Sequence, residues 1–165
     1  MINQKTIQIK KAGETENKIL TEIAFEAKRH WNYPEEYYQT WQDELTVSKE
    51  YISENKVFTV YYHDQIVGFY SIVENKKDFY SGNVFVEKGF WLEHIFIKPA
   101  FHNQGIGRIL LDHAKQVSRK LGISGLLIFV DPNAKGFYDK TGAMFLYNSQ
   151  SSIPDREIPV YILTT

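Results

Sequence analysis

Residues 92–111, LEHIFIKPAFHNQGIGRILL, run from a strand-like stretch through a proline to two glycines one residue apart, where a helical pattern begins. Leu92 to Ile97 is rich in β-forming residues and stops at Lys98-Pro99, whereas Ile106, Ile109 and Leu110 return with helical spacing. Gly105 and Gly107 therefore fall at a helix N-terminus, where several backbone N–H groups lack intrahelical partners and the dipole favours an anion. A phosphate is the natural ligand, because a β-carbon at either position would hold a bulky diphosphate away from those amides. The plainer alternative is that both glycines only make a tight strand-to-helix turn.

Outward from this stretch, the helix is expected from about 104 to 120, with Ile106, Ile109, Leu110, Ala114, Val117 and Leu121 on its apolar side and Gly122 ending it. The continuous apolar run Leu126 to Val130 follows, as expected for a strand buried on both faces in a parallel pair, so residues 89–131 form a βαβ unit. Upstream, residues 5–10 alternate as a first strand, and Gly13-Glu14-Thr15 opens a helix carrying Ile19, Leu20, Ile23, Ala24 and Ala27. A second helix is expected from Pro34, with positions 34, 37, 38, 41 and 45 on one face. An antiparallel hairpin then covers about 56–74, and a polar loop lies near 75–82. NAKGFYDK reads as a short helix, and MFLYN and PVYILT as two closing strands. No repeat or long linker divides the chain, so the expectation is one domain over residues 1–165, of mixed α/β class.

The bulk numbers narrow the function. With 165 residues, 43% hydrophobic and 15% aromatic, the chain has ordinary globular composition and can bury roughly two-thirds of its unfolded surface. Its 19 basic and 20 acidic residues give a formal net charge of -1, which is not the footprint of a general nucleic-acid binder. There is no cysteine, which removes disulfides, thiolate metal sites and a cysteine nucleophile together. MINQKTIQIKK lacks the apolar core of a signal peptide and no apolar run is long enough to span a bilayer, so a soluble cytoplasmic protein is expected. The five histidines show no metal-ligand spacing, and no metal is expected.

Two phosphate-binding patterns fail against the glycines. The dinucleotide fingerprint needs a third small residue at position 110, where the chain has Leu110, and Pro99 to Asn103 separate the glycines from the strand; Asp131 is its one supporting feature. The nucleoside-triphosphate loop needs Gly-Lys-Ser/Thr, which is absent here. The segment after the next strand, DPNAKGFYDKTGA (131–143), completes a different constellation. LEHIFIKP leading into NQGIGRILL, followed by DPNAKGFYDKTGA, resembles the GNAT acetyltransferase superfamily, and the likeness in element order extends over residues 5–163. The chain departs from the family pattern at His102, where Arg or Gln is usual, and at Asp131, where Asn is common; Asn133 offers a partial replacement.

The resemblance implies a mixed sheet with two splayed parallel strands, and acetyl-CoA as acyl donor with CoA as product. It places the diphosphate over the amides around Asn103, Gln104, Gly105, Ile106, Gly107 and Arg108, and the pantetheine arm along Ile95, Phe96 and Ile97 by strand addition. Arg108 and Lys140 are candidate phosphate partners, and Phe137 is expected to pack beneath the cofactor.

An amine acceptor is protonated at neutral pH, so a proton acceptor is needed; Glu93 is the candidate. Alternation puts it on one face with Trp91, Ile95 and Ile97, where partial desolvation is expected to raise its pKa, and it matches the "LE-x-x-(F/Y)-V" strand of polyamine and aminoglycoside acetyltransferases. The plainer alternative for Glu93 is an ion-paired strand residue. Tyr138, in the family's FY-x-x-x-G pattern, would protonate the departing thiolate. His94 alternates to the opposite face and reads as a satisfied core histidine.

Aromatics and glutamates crowd residues 29–41, RHWNYPEEYYQTW, and in this superfamily that connection commonly walls the acceptor site. Trp31, Tyr33 and Tyr38, with Glu35, could hold a cationic amine, while a core helix stripe is the alternative for some of them. The resulting expectation is N-acetylation of a primary amine of a small molecule or peptide, with no nucleic-acid or membrane partner and a homodimer as one assembly open to the chain. A noncatalytic acyl-CoA-binding module remains an alternative, and an NAD-dependent oxidoreductase a weaker one.

Overall fold

The structure, a computed structural model, describes residues 2–165. Strands β1 (Ile7–Lys11), β2 (Lys56–Tyr62), β3 (Gln65–Asn75), β6 (Gly89–Ile97), β7 (Gly125–Phe129), β8 (Met144–Gln150) and β9 (Glu157–Thr164) form one mixed sheet in the order β1-β2-β3-β6-β7-β9-β8. β4 (Phe79–Ser81) and β5 (Val84–Val86) make a separate two-stranded sheet. Helices α1 (Asn17–Arg29), α2 (Glu35–Thr40), α3 (Gln42–Leu45), α4 (Lys49–Glu54), α5 (Ile106–Lys120) and α6 (Lys135–Lys140) complete the mixed α/β architecture. The chain gathers into two compact units, one built from the residues up to Ile72 with His94–Ala114, the other from Val73–Glu93 with Lys115–Thr165.

In the first unit, α1 buries Leu20, Ile23, Ala24 and Ala27, the one-sided stripe that the sequence spacing predicts. The second expected helix is interrupted. Its apolar positions Tyr38, Trp41 and Leu45 are buried, but α2 and α3 break at Trp41, whose ψ of 1° departs from helical geometry, and Pro34 is exposed. α4 then starts afresh from Ser48, whose side chain accepts the N–H of Tyr51. β1, β2 and β3 pair antiparallel, with an irregularity at Val60/Tyr61. Beside it lies Gly68: a β-carbon there would stand 2.6 Å from the carbonyl oxygen of Phe96 and 3.3 Å from Cα of Ile97. Only a hydrogen fits where β3 approaches the end of β6, and the Lys98 N–H to Val67 carbonyl bond of 2.8 Å closes that approach.

In the second unit, Trp91 and Phe129 stack with ring centroids 4.5 Å apart, and Trp91, Leu127 and Val160 form a buried cluster flanked by Val86, Tyr147 and Ile162. β6 and β7 run parallel, registered at Trp91 opposite Leu127, whereas β7, β9 and β8 are joined antiparallel. Leu126, Leu127 and Ile128 are all buried, as the apolar run requires of a strand covered on both faces. The expected polar loop at 75–82 is instead β4 leading into a hairpin. Ser81 pairs with Val84 around Gly82 and Asn83, and the φ of +59° at Gly82 suits such a two-residue turn. Leu121, expected on the apolar side of α5, is half exposed because the helix has already ended and Gly122 turns left-handed.

Gly68→Ala should lower unfolding free energy by about 2 kcal/mol, the size of a small-to-large change against a fixed backbone. Gly136→Ala, where a β-carbon meets nothing within 4 Å, should be neutral or stabilising. Urea unfolding of both variants checks this; equal effects would mean that the β3–β6 approach can relax.

Candidate active site

The glycine turn forms in the first unit as a sequence of backbone constraints. β6 ends, Pro99–Phe101 make one 3-10 turn, and then Asn103 (φ +58°) and Gly105 (φ +87°) adopt left-handed geometry immediately before α5. Asparagine tolerates this region, and glycine enters it without steric cost. Ile109 N–H, bonded to the Gly105 carbonyl at 3.2 Å, closes the first turn, so the amides of Ile106, Gly107 and Arg108 precede any intrahelical partner. Ile106 is buried and anchors the turn, Gly107 is half-buried, and Gly105 and Arg108 are exposed. Three amides, an absent side chain at Gly105 and the positive end of a 15-residue helix suit a diphosphate.

The neighbouring side chains support the turn. Gln104 donates from Nε2 to the Ala100 carbonyl at 3.2 Å. His102 reaches back to the end of β6, where its Nε2 lies 2.9 Å from the Ile97 carbonyl oxygen; since that oxygen can only accept, Nε2 carries the proton. Its ring also stands edge-on to His30 at 5.0 Å and stacks loosely with Trp31 at 6.3 Å, a grouping the sequence reading did not single out. Arg108 pairs with Asp112 one turn on, at 3.7 Å and well exposed. Ile95, Phe96 and Ile97 are half-buried along β6.

The aromatic connection of residues 29–41, also in the first unit, holds cations of the chain itself. Arg29 lies 4.3 Å from the Tyr38 ring centroid and forms a 3.0 Å ion pair with Glu35. Lys28 lies 4.6 Å from the Trp41 ring and 5.8 Å from that of Tyr33. The Tyr38 hydroxyl accepts the Tyr33 N–H and donates to the Lys28 carbonyl, which fixes the turn out of α1. Tyr38 is buried, Tyr33 half-buried, Glu35 exposed but paired, and Trp31 exposes 39% of its surface.

His94 is the core residue that alternation predicts. It is 8% exposed, packed against Tyr51, Phe69 and Phe96, and burial, aided by the charge of Lys28, lowers its pKa to about 4. Neutral imidazole is therefore the folded form at physiological pH.

In the second unit, Glu93 is exposed. Trp91, two residues earlier on the strand, is buried under Leu127, Val160 and Phe129, so burial changes sharply along β6. Tyr138, on α6, is 4% exposed; burial first, and the charge of Asp131 second, push its phenol well above the ordinary range and keep it protonated. Phe137 packs edge-on to it at 5.2 Å. Asp131 caps the 3-10 turn that precedes α6, accepting both the backbone N–H of Asn133 (2.9 Å) and its Nδ2 (3.2 Å), so Asn133 already contributes to a local turn. Lys140 is exposed in the last turn of α6.

Comparison with known proteins decides the family. The acetyltransferase (GNAT) family model matches residues 19–143, well over half the chain. The chain belongs to the GNAT acetyltransferase family. The GNAT fold extends nearly end to end. A PaiA N-acetyltransferase from Thermoplasma acidophilum, in complex with coenzyme A, is 20% identical with a TM-score of 0.73, over 96% of this chain and 99% of that one. A GCN5-related N-acetyltransferase from Rhodopseudomonas palustris gives 15% identity and a TM-score of 0.76, over 97% and 96% of the two chains. The ribosomal-protein-S18-alanine N-acetyltransferase from Escherichia coli gives 16% and 0.65, over 96% and 93%. A search of curated protein sequences finds no match. No helix among the described residues is long and apolar enough to cross a membrane, and those residues hold no cluster of three or more metal-ligating side chains.

The His94 environment has a measurable consequence. Unfolding restores an ordinary imidazole, so between pH 6.5 and about 4 the unfolded chain binds the extra proton and stability rises with pH through that window. Acidification from pH 7 to 4 should cost on the order of 3 kcal/mol through this residue, and His94→Gln should flatten the profile by that amount. Urea unfolding at several pH values checks it; an unchanged slope in His94→Gln would mean that His94 titrates alike in the folded and unfolded chain.

Proposed function

We propose that the chain is an acetyl-CoA-dependent N-acetyltransferase that moves an acetyl group directly to a primary amine of a small molecule or peptide, with residues 1–165 acting as one catalytic domain. The observation that carries this reading is the left-handed Asn103–Gly105 turn opening onto the amides of Ile106 to Arg108, in a chain of the GNAT family. The coenzyme A of the Thermoplasma acidophilum structure supports the choice of cofactor. Bound acetyl-CoA supplies an activated thioester carbonyl. The amides around Asn103, Gln104, Gly105, Ile106, Gly107 and Arg108 bind the diphosphate, Arg108 and Lys140 add positive charge, and the backbone of Ile95, Phe96 and Ile97 pairs with the pantetheine amides. Phe137 and Asn133 are the remaining residues assigned to the cofactor.

Glu93 takes the proton of the attacking amine as the nitrogen–carbon bond forms and the carbon–sulfur bond breaks. Its exposure favours transfer through a water over direct contact. Tyr138, a phenol that burial keeps protonated, donates to the departing sulfur. Trp31 is the exposed aromatic of residues 29–41 and the best placed of them to meet an acceptor; Tyr33, Tyr38 and Glu35 shape that wall through their contacts with Lys28 and Arg29. The site needs no metal, the reaction is expected in the cytoplasm, and neither nucleic acid nor membrane is a partner; a homodimer is compatible with the reading.

An amine panel assayed for free thiol release tests the reaction. Gly107→Glu should abolish coenzyme A binding by adding bulk and like charge at the diphosphate, and retained affinity would reduce the glycines to a turn. Glu93→Gln should leave coenzyme A affinity nearly intact and cut turnover at neutral pH by roughly 10²-fold, the usual worth of a positioned base. Unchanged turnover across pH would remove Glu93 from that role.

A further inference from the structure

We propose that Ser71 and Tyr51 are positioning residues that fix the direction of Glu93 through the backbone of β6; this rests on the reading of Glu93 as the proton acceptor. Ser71 is fully buried on β3, where a hydroxyl is costly unless bonded. Its Oγ accepts the backbone N–H of His94 at 3.2 Å. That N–H and the carbonyl of Glu93 belong to one planar peptide unit, so a partner that holds the N–H also sets the plane on which the Glu93 Cα hangs. A tilt of that plane carries the Glu93 Cα with it, and so the root of the side chain.

Tyr51 completes the support. Its hydroxyl lies 2.8 Å from Ser71 Oγ, and one hydroxyl proton with two lone pairs lets Ser71 serve both Tyr51 and the peptide. Tyr51 is itself held at the start of α4: its N–H donates to Ser48 Oγ at 3.0 Å and its carbonyl accepts from Asn55 Nδ2 at 3.0 Å. Its ring also lies against that of His94, with centroids 5.6 Å apart. A short helix remote in sequence thus holds the peptide next to Glu93 by one tyrosine and one serine, and α4 gains a use beyond packing. Loss of either hydroxyl should act on turnover and leave affinity for coenzyme A unchanged, because neither residue belongs to the glycine turn.

The experiment is NMR of the full chain labelled at glutamate Cδ and at backbone nitrogen, comparing the native protein with Ser71→Ala, Ser71→Thr and Tyr51→Phe. In Ser71→Ala the His94 amide should exchange about tenfold faster, the worth of one ordinary hydrogen bond, and the Glu93 carboxyl signal should shift in position and titration midpoint. Ser71→Thr, which keeps the hydroxyl, should return both signals toward native. Tyr51→Phe should move them in the same direction as Ser71→Ala by a smaller amount, and it supplies the answer should Ser71→Ala fail to fold. A Glu93 signal unmoved in Ser71→Ala or in Tyr51→Phe, while His94 exchange accelerates, would overturn the proposal. The base assignment fails separately, by unchanged turnover in Glu93→Gln.

Discussion

The left-handed backbone at Gly105 is the constraint on which the rest depends. With φ at +87° it turns the chain from the end of β6 into α5 within a few residues, and it does so without a side chain over the first amides of the helix. A residue with a β-carbon would be strained in this left-handed geometry, and a right-handed one would redirect α5. The turn that leads β6 into α5 is thus the same segment that the proposed function assigns to the diphosphate. His102 reinforces it from one side by bonding the Ile97 carbonyl, and Gln104 from the other by bonding Ala100.

β6 sorts its ionisable residues by alternation. Leu92 and His94 turn inward, and the burial that lowers the pKa of His94 also makes that ring unsuited to hold a charge at neutral pH. Glu93, between them in sequence, is exposed. One strand thereby separates a neutral, buried histidine from an exposed glutamate. The aromatic connection of residues 29–41 divides in a similar way: Tyr38 and Trp41 are committed to the core and to Arg29 and Lys28, while Trp31 remains at the surface.

Much of this was legible in the sequence because it rests on short-range patterns. The glycine pair, the stripe of α1 and the apolar run of β7 each follow from period and turn chemistry, and α5 was misplaced by no more than two residues at its start. The hairpin of β4 and β5 was missed although Ser81-Gly82-Asn83 carries a two-residue turn signal, because the flanking segments are too short and too exposed to show alternation. The break at Trp41 and the restart at Ser48 were hidden by an apolar pattern that continues through both. The solvent exposure of Glu93 could not be read from alternation, which assigns a face and not what covers it. Ser71 and Tyr51 stand 20 residues apart, a contact no local pattern reports.

The central claim is that the turn before α5 receives the diphosphate of coenzyme A. Calorimetric titration of the full chain with acetyl-CoA, coenzyme A and NAD tests it most directly. Micromolar binding of acetyl-CoA and coenzyme A, with no heat from NAD, is the expected result. Absence of binding by either thioester or thiol would contradict the claim, and tight binding of NAD alone would return the glycines to a dinucleotide site.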